Sequence, residues 1–296
     1  MPVPSSVPFA KILIPSLFVL IWSTGFIAAR FVAPHAEPLP FVALRVIGVA
    51  LVLAAIALAF GARWPRTRAG WRDALVAGVL MQGLYIIGVF WAIHRGLPAG
   101  IAALVGSLQP LVTAMLAGPV LGEVVSRRRW LGIGLGFLGA GLVLAPKIGA
   151  AGAAGIPPVA LAACAGAIAA ITLGTLWQKR TGADADLLAT ATLQFVGACG
   201  VAVPLALASG DGLSVPLLLP VWLGMAWSVL VSSVAGILLL LLLIRRGAVA
   251  GVSALLFLVP PVSAGLAYLM FGEALTPVQV AGMAVAAIGV AVASRG

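Results

Sequence analysis

The polar side chains inside the apolar stretches of this chain are mostly neutral amides and hydroxyls, and aromatic rings accompany them. Gln82 and Tyr85 are three residues apart, so they share one face of a helix. A few such groups among aromatic walls suit the recognition of a small amphipathic or aromatic solute. The sequence therefore predicts a substrate-binding site built from Trp22, Ser23, Thr24, Gln82, Tyr85, Ser107, Gln109, Gln194, Trp227, Ser232 and Phe257.

Each of these side chains also has an ordinary structural explanation. A glutamine in a membrane helix can form an interhelical hydrogen bond, and a tryptophan or tyrosine can pack or anchor the helix at the lipid interface. Arg45 lies just inside the second apolar stretch, where two roles are open. Its side chain could snorkel to the outer surface, or it could bind a substrate carboxylate.

Several kinds of chemistry have no residues to support them. His35 and His94 have no cysteine or carboxylate at metal-ligand spacing, and no glycine-rich loop ends in Lys-Ser or Lys-Thr. We therefore expect no metal, no cofactor and no ATP-driven pump. The acidic residues fall in loops or near the ends of apolar stretches, which argues against a simple proton antiporter based on a carboxylate within the membrane.

Composition places the chain in a membrane. Its 296 residues are 63% hydrophobic and only 8% charged. A membrane-spanning helix needs about 20 apolar residues, whereas a membrane strand would alternate polar and apolar residues. The pattern predicts an all-α integral membrane protein with ten transmembrane helices, at 10–29, 40–60, 73–93, 98–120, 129–146, 157–178, 187–208, 219–243, 249–271 and 276–293.

An internal repeat divides these ten helices into two sets of five. Residues 93–123, IHRGLPAGIAALVGSLQPLVTAMLAGPVLGE, recur at 244–273 as IRRGAVAGVSALLFLVPPVSAGLAYLMFGE, at an offset of 151. Because five is odd, the second set enters the membrane from the opposite side. The sequence thus predicts two inverted five-helix repeats, 1–148 and 149–296, which together form one membrane domain with its site between the halves.

Prolines and glycines recur at equivalent points of the two halves. Pro110 matches Pro260 and Pro261, and Glu123 matches Glu273 after a shared glycine. Proline weakens a helix locally, so the three prolines are candidate bending points, with the two glutamates as candidate gates. The alternatives are structural kinks and helix-end charges paired with arginines. The glycines of spans five and ten predict close helix packing.

The net charge of +10 follows the expected membrane topology. With a cytoplasmic N-terminus, only Arg30, Arg95 and Lys147 among the Lys and Arg residues outside the spans face the exterior. This bias obeys the positive-inside rule, so we expect lipid and not nucleic acid as the partner of the charge, and both termini in the cytoplasm.

Three motifs carry a resemblance to a known family. WSTGF in the first span, LRVIGVAL in the second, and QP…GE recurring as PP…GE resemble the drug/metabolite transporter superfamily, in its EamA branch of exporters. The resemblance covers essentially the whole chain and, within the branch, is to the YddG type of aromatic amino-acid exporter. It implies a multi-pass carrier of the bacterial inner membrane. It also implies a central cavity formed by spans one to four and six to nine, with spans five and ten at the periphery.

These observations favour a secondary transporter. It would export small metabolites, most of all aromatic or other neutral amino acids, and also amphipathic drugs, by alternating access. The alternatives are a channel and an intramembrane lipid-modifying enzyme. Because no nucleophile and base pair or metal cluster can be assembled from the spans, we expect no enzymatic activity.

The predicted topology can be tested by single-cysteine labelling after Cys164 and Cys199 are replaced. Arg128→Cys should be protected from an impermeant thiol reagent in intact cells, whereas Lys147→Cys should react, because these positions lie on opposite sides of the membrane. Labelling of the cysteine introduced by Arg128→Cys from outside would contradict the topology.

Overall fold

A computed structural model describes residues 8–122, 125–181, 186–245, 255–271 and 275–293, and this part of the chain forms ten helical elements. We number them α1 (Pro8–Val32), α2 (Pro38–Ala59), α3 (Arg68–His94), α4 (Ala99–Leu121), α5 (Arg127–Ala154), α6 (Pro158–Thr181), α7 (Leu187–Ala208), α8 (219–245), α9 (Val259–Phe271, after a 3₁₀ turn Leu256–Leu258) and α10 (Pro277–Ala293). The described residues contain no strand, so the all-α prediction is confirmed.

Six of these elements are long and apolar enough to cross a bilayer. They are α1, α2, α3, α6, α7 and α8, judged by length and composition. Shorter apolar helices cover Ile101–Leu116, Val259–Met270 and Pro277–Ala293. The predicted integral membrane protein is therefore confirmed.

Side-chain caps define where several helices begin. Thr67 accepts a hydrogen bond from the Gly70 amide at 3.1 Å, and Ser126 accepts one from the Arg129 amide at 3.2 Å. Asp186 accepts one from the Leu188 amide at 2.9 Å. Each cap satisfies an N–H group that the first turn of a helix leaves without a partner. Short polar loops can therefore end one span and begin the next.

Equivalent helices of the two halves lie against each other. Among the described residues, the most extensive contact joins α5 to α10, and α2 packs along its equivalent α7. The helix α3 also packs on α6 and α7, while α1 packs on α8 and α9. Eight helices thus form the body of the bundle, and α5 and α10 lie as a pair beside α4 and α9.

Small residues allow the close approach of α5 and α10. A Cβ atom on Gly139 would lie 2.7 Å from the carbonyl oxygen of Gly282. A Cβ atom on Gly289 would lie 2.8 Å from the carbonyl oxygen of Gly132. Because these distances leave no room for a methyl group, the close packing predicted from the glycine pattern is confirmed.

The connection between the halves is shorter than the sequence indicates. The Gly- and Ala-rich segment continues the helix α5 to Ala154, and only residues 155–157 separate it from α6. Alanine is the strongest helix former, which explains why this segment does not form a loop.

Two π-helical turns occupy equivalent positions in the two halves. One covers Val79–Leu84 in α3, and the other covers Trp227–Ala235 in α8. The repeat offset of 151 carries the first onto residues 230–235, inside the second. Such turns are rare and occur often at functional sites. Nothing in the composition of either helix indicated them.

The helix pair α5–α10 generates a stability prediction. Gly139→Ala should lower the free energy of unfolding by about 1–3 kcal/mol, because the added methyl group meets the backbone of α10. The control is Gly141→Ala, since a Cβ atom on Gly141 meets nothing within 4 Å. Thermal unfolding of the purified variants in detergent measures both, and equal melting temperatures would contradict the assigned interface.

Candidate functional site

A cavity of about 180 Å³ lies between the two halves of the bundle. Residues of α1, α2 and α3 line it from the first half, and residues of α6, α7 and α8 line it from the second. The walls are mostly apolar, with polar groups from both halves. The lining residues are Trp22, Gly25, Phe26, Arg45, Met81, Gln82, Tyr85, Ile86, Val89, Phe90, Ile171, Gln178, Leu187, Ala191, Gln194, Phe195, Ser232, Ser233, Ile237 and Leu240.

A second cavity of about 30 Å³ adjoins the first and shares Trp22, Phe26, Tyr85 and Ile171 with it. Its remaining lining comes from α4, α6 and α9, including Gln109 and Val259. The two cavities thus have residues of α1–α4 and α6–α9 in their walls. Among the described residues, none from α5 or α10 lines either cavity. This arrangement is the one that the family resemblance implied.

Six of the predicted site residues come together here. Trp22, Gln82, Tyr85, Gln194 and Ser232 line the larger cavity, and Gln109 lines the smaller one beside Trp22 and Tyr85. Gln82 and Ser232 belong to the two π turns, so the irregular backbone carries polar side chains to the cavity from both halves.

Four other predicted site residues contribute to the helix framework instead of the cavity walls. Ser23 is fully buried, and its hydroxyl donates to the Val19 carbonyl at 2.7 Å. The Trp227 indole donates to the Thr24 hydroxyl at 3.0 Å, which ties α8 to α1. Phe257 is fully buried in a cluster between α5, α9 and α10.

The Trp227 side chain points in a different direction from the one expected. The sequence analysis placed it in the binding site, yet its side chain is 45% exposed on the outer surface of the bundle. Position along a helix fixes depth in the membrane but not the direction in which a side chain points. Ser107 lies in α4, and its side chain is not among those that the structure describes.

Arg45 is the residue whose role the sequence left open, and the structure removes one of its two roles. It is only 6% exposed and lines the larger cavity, so it does not snorkel to the surface. Its Nη2 donates to the Ser233 hydroxyl at 3.1 Å, and its Cζ lies 5.3 Å from the centre of the Phe90 ring. The packing of α2 against α7 and the π turn of α8 encloses this side chain.

The guanidinium of Arg45 has little to balance its charge. Its Nε is buried without a hydrogen-bond partner, and no carboxylate among the described residues lies within ion-pair distance. Burying an unpaired charge costs several kcal/mol. One cation–π contact returns about 1–2 kcal/mol, and one charge-assisted hydrogen bond about 1.5–3 kcal/mol. This imbalance favours an anion from outside the protein.

Two glutamines also have amide groups that could form hydrogen bonds to a solute. Gln194 is 5% exposed, and its Nε2 has no partner. The Nε2 of Gln109 donates to the Thr175 hydroxyl over a long distance, 3.4 Å. A buried amide without a partner loses its hydrogen bonds to water, so a bound solute or an ordered water would satisfy these groups.

The candidate bending points lie beside the smaller cavity. Pro110 is buried in the middle of α4, and because it lacks an N–H, the carbonyl of Gly106 has no helical donor. Gly106 lines the smaller cavity. Pro260 and Pro261 lie in the first turn of α9, directly after the 3₁₀ turn and next to the cavity residue Val259. Glu123 and Glu273, the candidate gates, lie outside the described residues.

Comparison with known proteins assigns the family. The EamA-like transporter family matches residues 10–145 and, separately, 157–295. The chain therefore belongs to the EamA-like transporter family, within the drug/metabolite transporter superfamily, and it contains two copies of the repeat. With the helices of the described residues, this match confirms two five-helix repeats of inverted topology.

Two curated relatives are similar to parts of the chain. Protein PecM of Dickeya dadantii (strain 3937) is 29% identical over 168 residues, which cover 56% of this chain and 52% of PecM. The uncharacterized transporter YvbV of Bacillus subtilis (strain 168) is 26% identical over 188 residues, 62% of this chain and 58% of YvbV. The matched segment spans little more than half the length of either relative.

A solved crystal structure has the same fold. It superposes with a TM-score of 0.74 and 19% sequence identity, covering 96% of this chain and 97% of the other. The likeness supports the architecture of the whole bundle.

Proposed function

We propose that this member of the EamA-like family is a secondary carrier that exports small metabolites, with aromatic or other neutral amino acids first and amphipathic drugs second. One observation carries the proposal. A cavity of about 180 Å³ lies between the two halves, and both halves supply aromatic and hydrogen-bonding side chains to it. A site at the interface of inverted repeats is the usual arrangement in carriers.

The side chains that line the cavity suit a small organic solute. Trp22, Tyr85 and Phe90 offer aromatic surface, and Gln82 and Gln194 offer amides. Since one water needs roughly 10–15 Å³, the space holds about a dozen waters or a solute of similar size, which includes an aromatic amino acid. A phosphorylated metabolite would need more cationic groups than these walls supply.

The proposed orientation places the cavity on the cytoplasmic side. Both termini lie in the cytoplasm of a bacterial cell, the inner membrane holds the chain, and the halves divide near residue 148. Gln178 and Leu187 mark the end of the cavity next to the connection between α6 and α7, which then faces the cytoplasm. Arg45 and Phe90 are buried toward the other end. The described conformation would accept solute from inside the cell.

Transport would proceed by alternating access between two conformations. The proposed bending elements are α3–α4 in the first half and α8–α9 in the second. Each pair combines a π turn with a proline or a 3₁₀ turn at equivalent positions. Such points lack regular hydrogen bonds, so a helix bends there at lower cost. If each pair adopted the conformation of the other, one entrance would close and the other would open.

The transport proposal can be tested with the purified full-length protein in liposomes and labelled phenylalanine, tryptophan and leucine. Gln82→Leu should lower the rate about tenfold or more without changing the melting temperature, because the amide faces the cavity. Tyr85→Phe should also lower the rate.

The matched control is Gln279→Leu in α10. Gln279 is buried, whereas Gln82 is half-buried, and the Gln279 Nε2 donates to the Val143 carbonyl at 3.0 Å, away from the cavity. This variant should melt at a lower temperature and yet transport normally while folded. Wild-type rates for Gln82→Leu and Tyr85→Phe at every substrate concentration would refute the site. Absence of transport for all three amino acids would leave an enzyme or a channel as the better explanation.

The bending points give a second functional test. Pro110→Ala and Pro261→Ala should change turnover or the balance of open states more than stability. Alanine at 110 supplies the helical N–H that proline lacks, and alanine at 261 removes the ring that restricts the backbone after the 3₁₀ turn. Pro119→Ala is the control, since Pro119 is exposed near the end of the same helix as Pro110. Accessibility of engineered cysteines at each entrance, with and without substrate, reports the balance. Unchanged turnover and labelling in both variants would mean that the prolines are purely structural.

A further inference from the structure

We propose that the cavity recognises its solute through a carboxylate that binds Arg45, and that a substrate ammonium group contributes little. This inference rests on the proposed function and narrows its substrate class to small carboxylates with an aromatic or apolar body. Neutral amino acids belong to this class because of their carboxylate. Cationic drugs do not.

The position of Arg45 is suited to an anion. Phe90 lies under the guanidinium at 5.3 Å, and Phe41 stacks on Phe90 with 5.7 Å between the ring centres. Ser233 fixes Nη2 from the opposite half of the protein. The guanidinium is therefore held in place before any ligand arrives. Binding a carboxylate then costs less conformational entropy, because the arginine side chain is already ordered.

No acidic residue of the described chain competes for this cation. The walls of both cavities contain no Asp or Glu among the described residues, and the carboxylates of Asp73 and Glu37 lie elsewhere, beside Arg72 and His94. An arginine and a carboxylate form charge-assisted, often bidentate hydrogen bonds, which are stronger than those between neutral groups. A carboxylate ligand would thus supply the anionic partner that the described residues do not provide for Arg45.

The lack of Asp and Glu in the described cavity walls also determines how the cavity would bind an ammonium group. A cationic group in the cavity finds amides and aromatic faces but no carboxylate, and it meets a buried cation of like charge. Removing or acylating the ammonium of an amino acid should therefore preserve binding, whereas removing or amidating the carboxylate should abolish it.

A purely structural role for Arg45 makes a different prediction. Arginine could simply strap α2 to α8, in which case its removal would destabilise the protein. However, one hydrogen bond to a neutral hydroxyl is a weak strap for a buried charge, and apolar replacement of buried charges is often neutral or stabilising. If Arg45 instead serves to bind the solute, Arg45→Met should melt at the same temperature as the wild type without ligand, or at a higher one.

The first experiment measures equilibrium binding of labelled phenylacetate to the purified full-length protein in detergent. Unlabelled phenylalanine, N-acetylphenylalanine, phenylalanine amide and phenethylamine serve as competitors. The two competitors with a carboxylate should displace the label and raise the melting temperature. Phenylalanine amide and phenethylamine should do neither at concentrations at least tenfold higher.

The second experiment compares arginine variants. Arg45→Gln should weaken phenylacetate binding about tenfold or more, the usual loss for one charge-assisted hydrogen bond, and Arg45→Lys should retain part of it. Arg95→Gln is the matched control, because Arg95 lies 5.1 Å over the Trp91 ring in a similar way but is exposed. That variant should bind like the wild type.

Several outcomes would overturn the inference. These are equal competition by phenethylamine, wild-type affinity in Arg45→Gln, no phenylacetate binding to the wild type, or a marked loss of stability in Arg45→Met. Failure of the transport proposal is a separate result, since phenylacetate binding that depends on Arg45 can occur in a protein that moves no amino acid into liposomes. Conversely, phenylalanine transport that does not depend on Arg45 would refute the carboxylate site and leave the carrier function standing.

Discussion

Inside a bilayer, a backbone N–H or C=O group has no water to bond with, so the chain has to satisfy these groups itself. Regular helices do so along most of this protein. The two π turns depart from the pattern, and they carry Gln82 and Ser233 to the larger cavity. Val259, which follows the 3₁₀ turn of α9, lines the smaller cavity. Irregular backbone is therefore found where polar groups or water can reach it, and the cavity and the irregular turns depend on each other.

The outer helix pair complements this irregular centre. Glycine and alanine let the backbones of α5 and α10 touch, and packing of this kind relies on van der Waals contact along the whole interface. Such an interface joins the halves firmly at one side of the bundle. In the proposed transport cycle, the elements that line the cavity would be the ones to change shape, because they have fewer regular hydrogen bonds and open space beside them.

The sequence predicted the architecture well because hydrophobic length and internal repetition are properties of the chain itself. Ten apolar stretches and an offset of 151 led to the helices and to their inverted halves, which the family match confirms. The end of α5 was placed too early, because a segment such as Gly149–Ala154 is typical of a linker and also of a helix. The π turns were missed since they arise from packing between helices and leave no compositional signal.

The site was only partly predictable for a similar reason. Gln82 and Tyr85 were found because their spacing fixes a shared face, whereas Trp227 and Phe257 were grouped with them by depth alone. Depth follows from counting residues along a span, but direction requires knowledge of the neighbouring helices. Arg45 illustrates the limit most clearly, because near a helix end the membrane surface and the protein interior are both within reach of an arginine. Only the packing of α2 against α7 and α8 decides between them.

The position of Arg45 has a consequence for how binding could be linked to conformational change. A ligand shifts an equilibrium only by the difference between its affinities for the two conformations. Arg45 belongs to the first half, and its hydrogen-bond partner Ser233 belongs to the π turn of the second half. In the proposed alternating-access cycle, a solute held by Arg45 would lie against the contact between α2 and α8, where a small displacement of one helix relative to the other would change the geometry of its hydrogen bonds. A solute whose contacts all kept the same geometry in both conformations would have the same affinity in each and could not favour either of them.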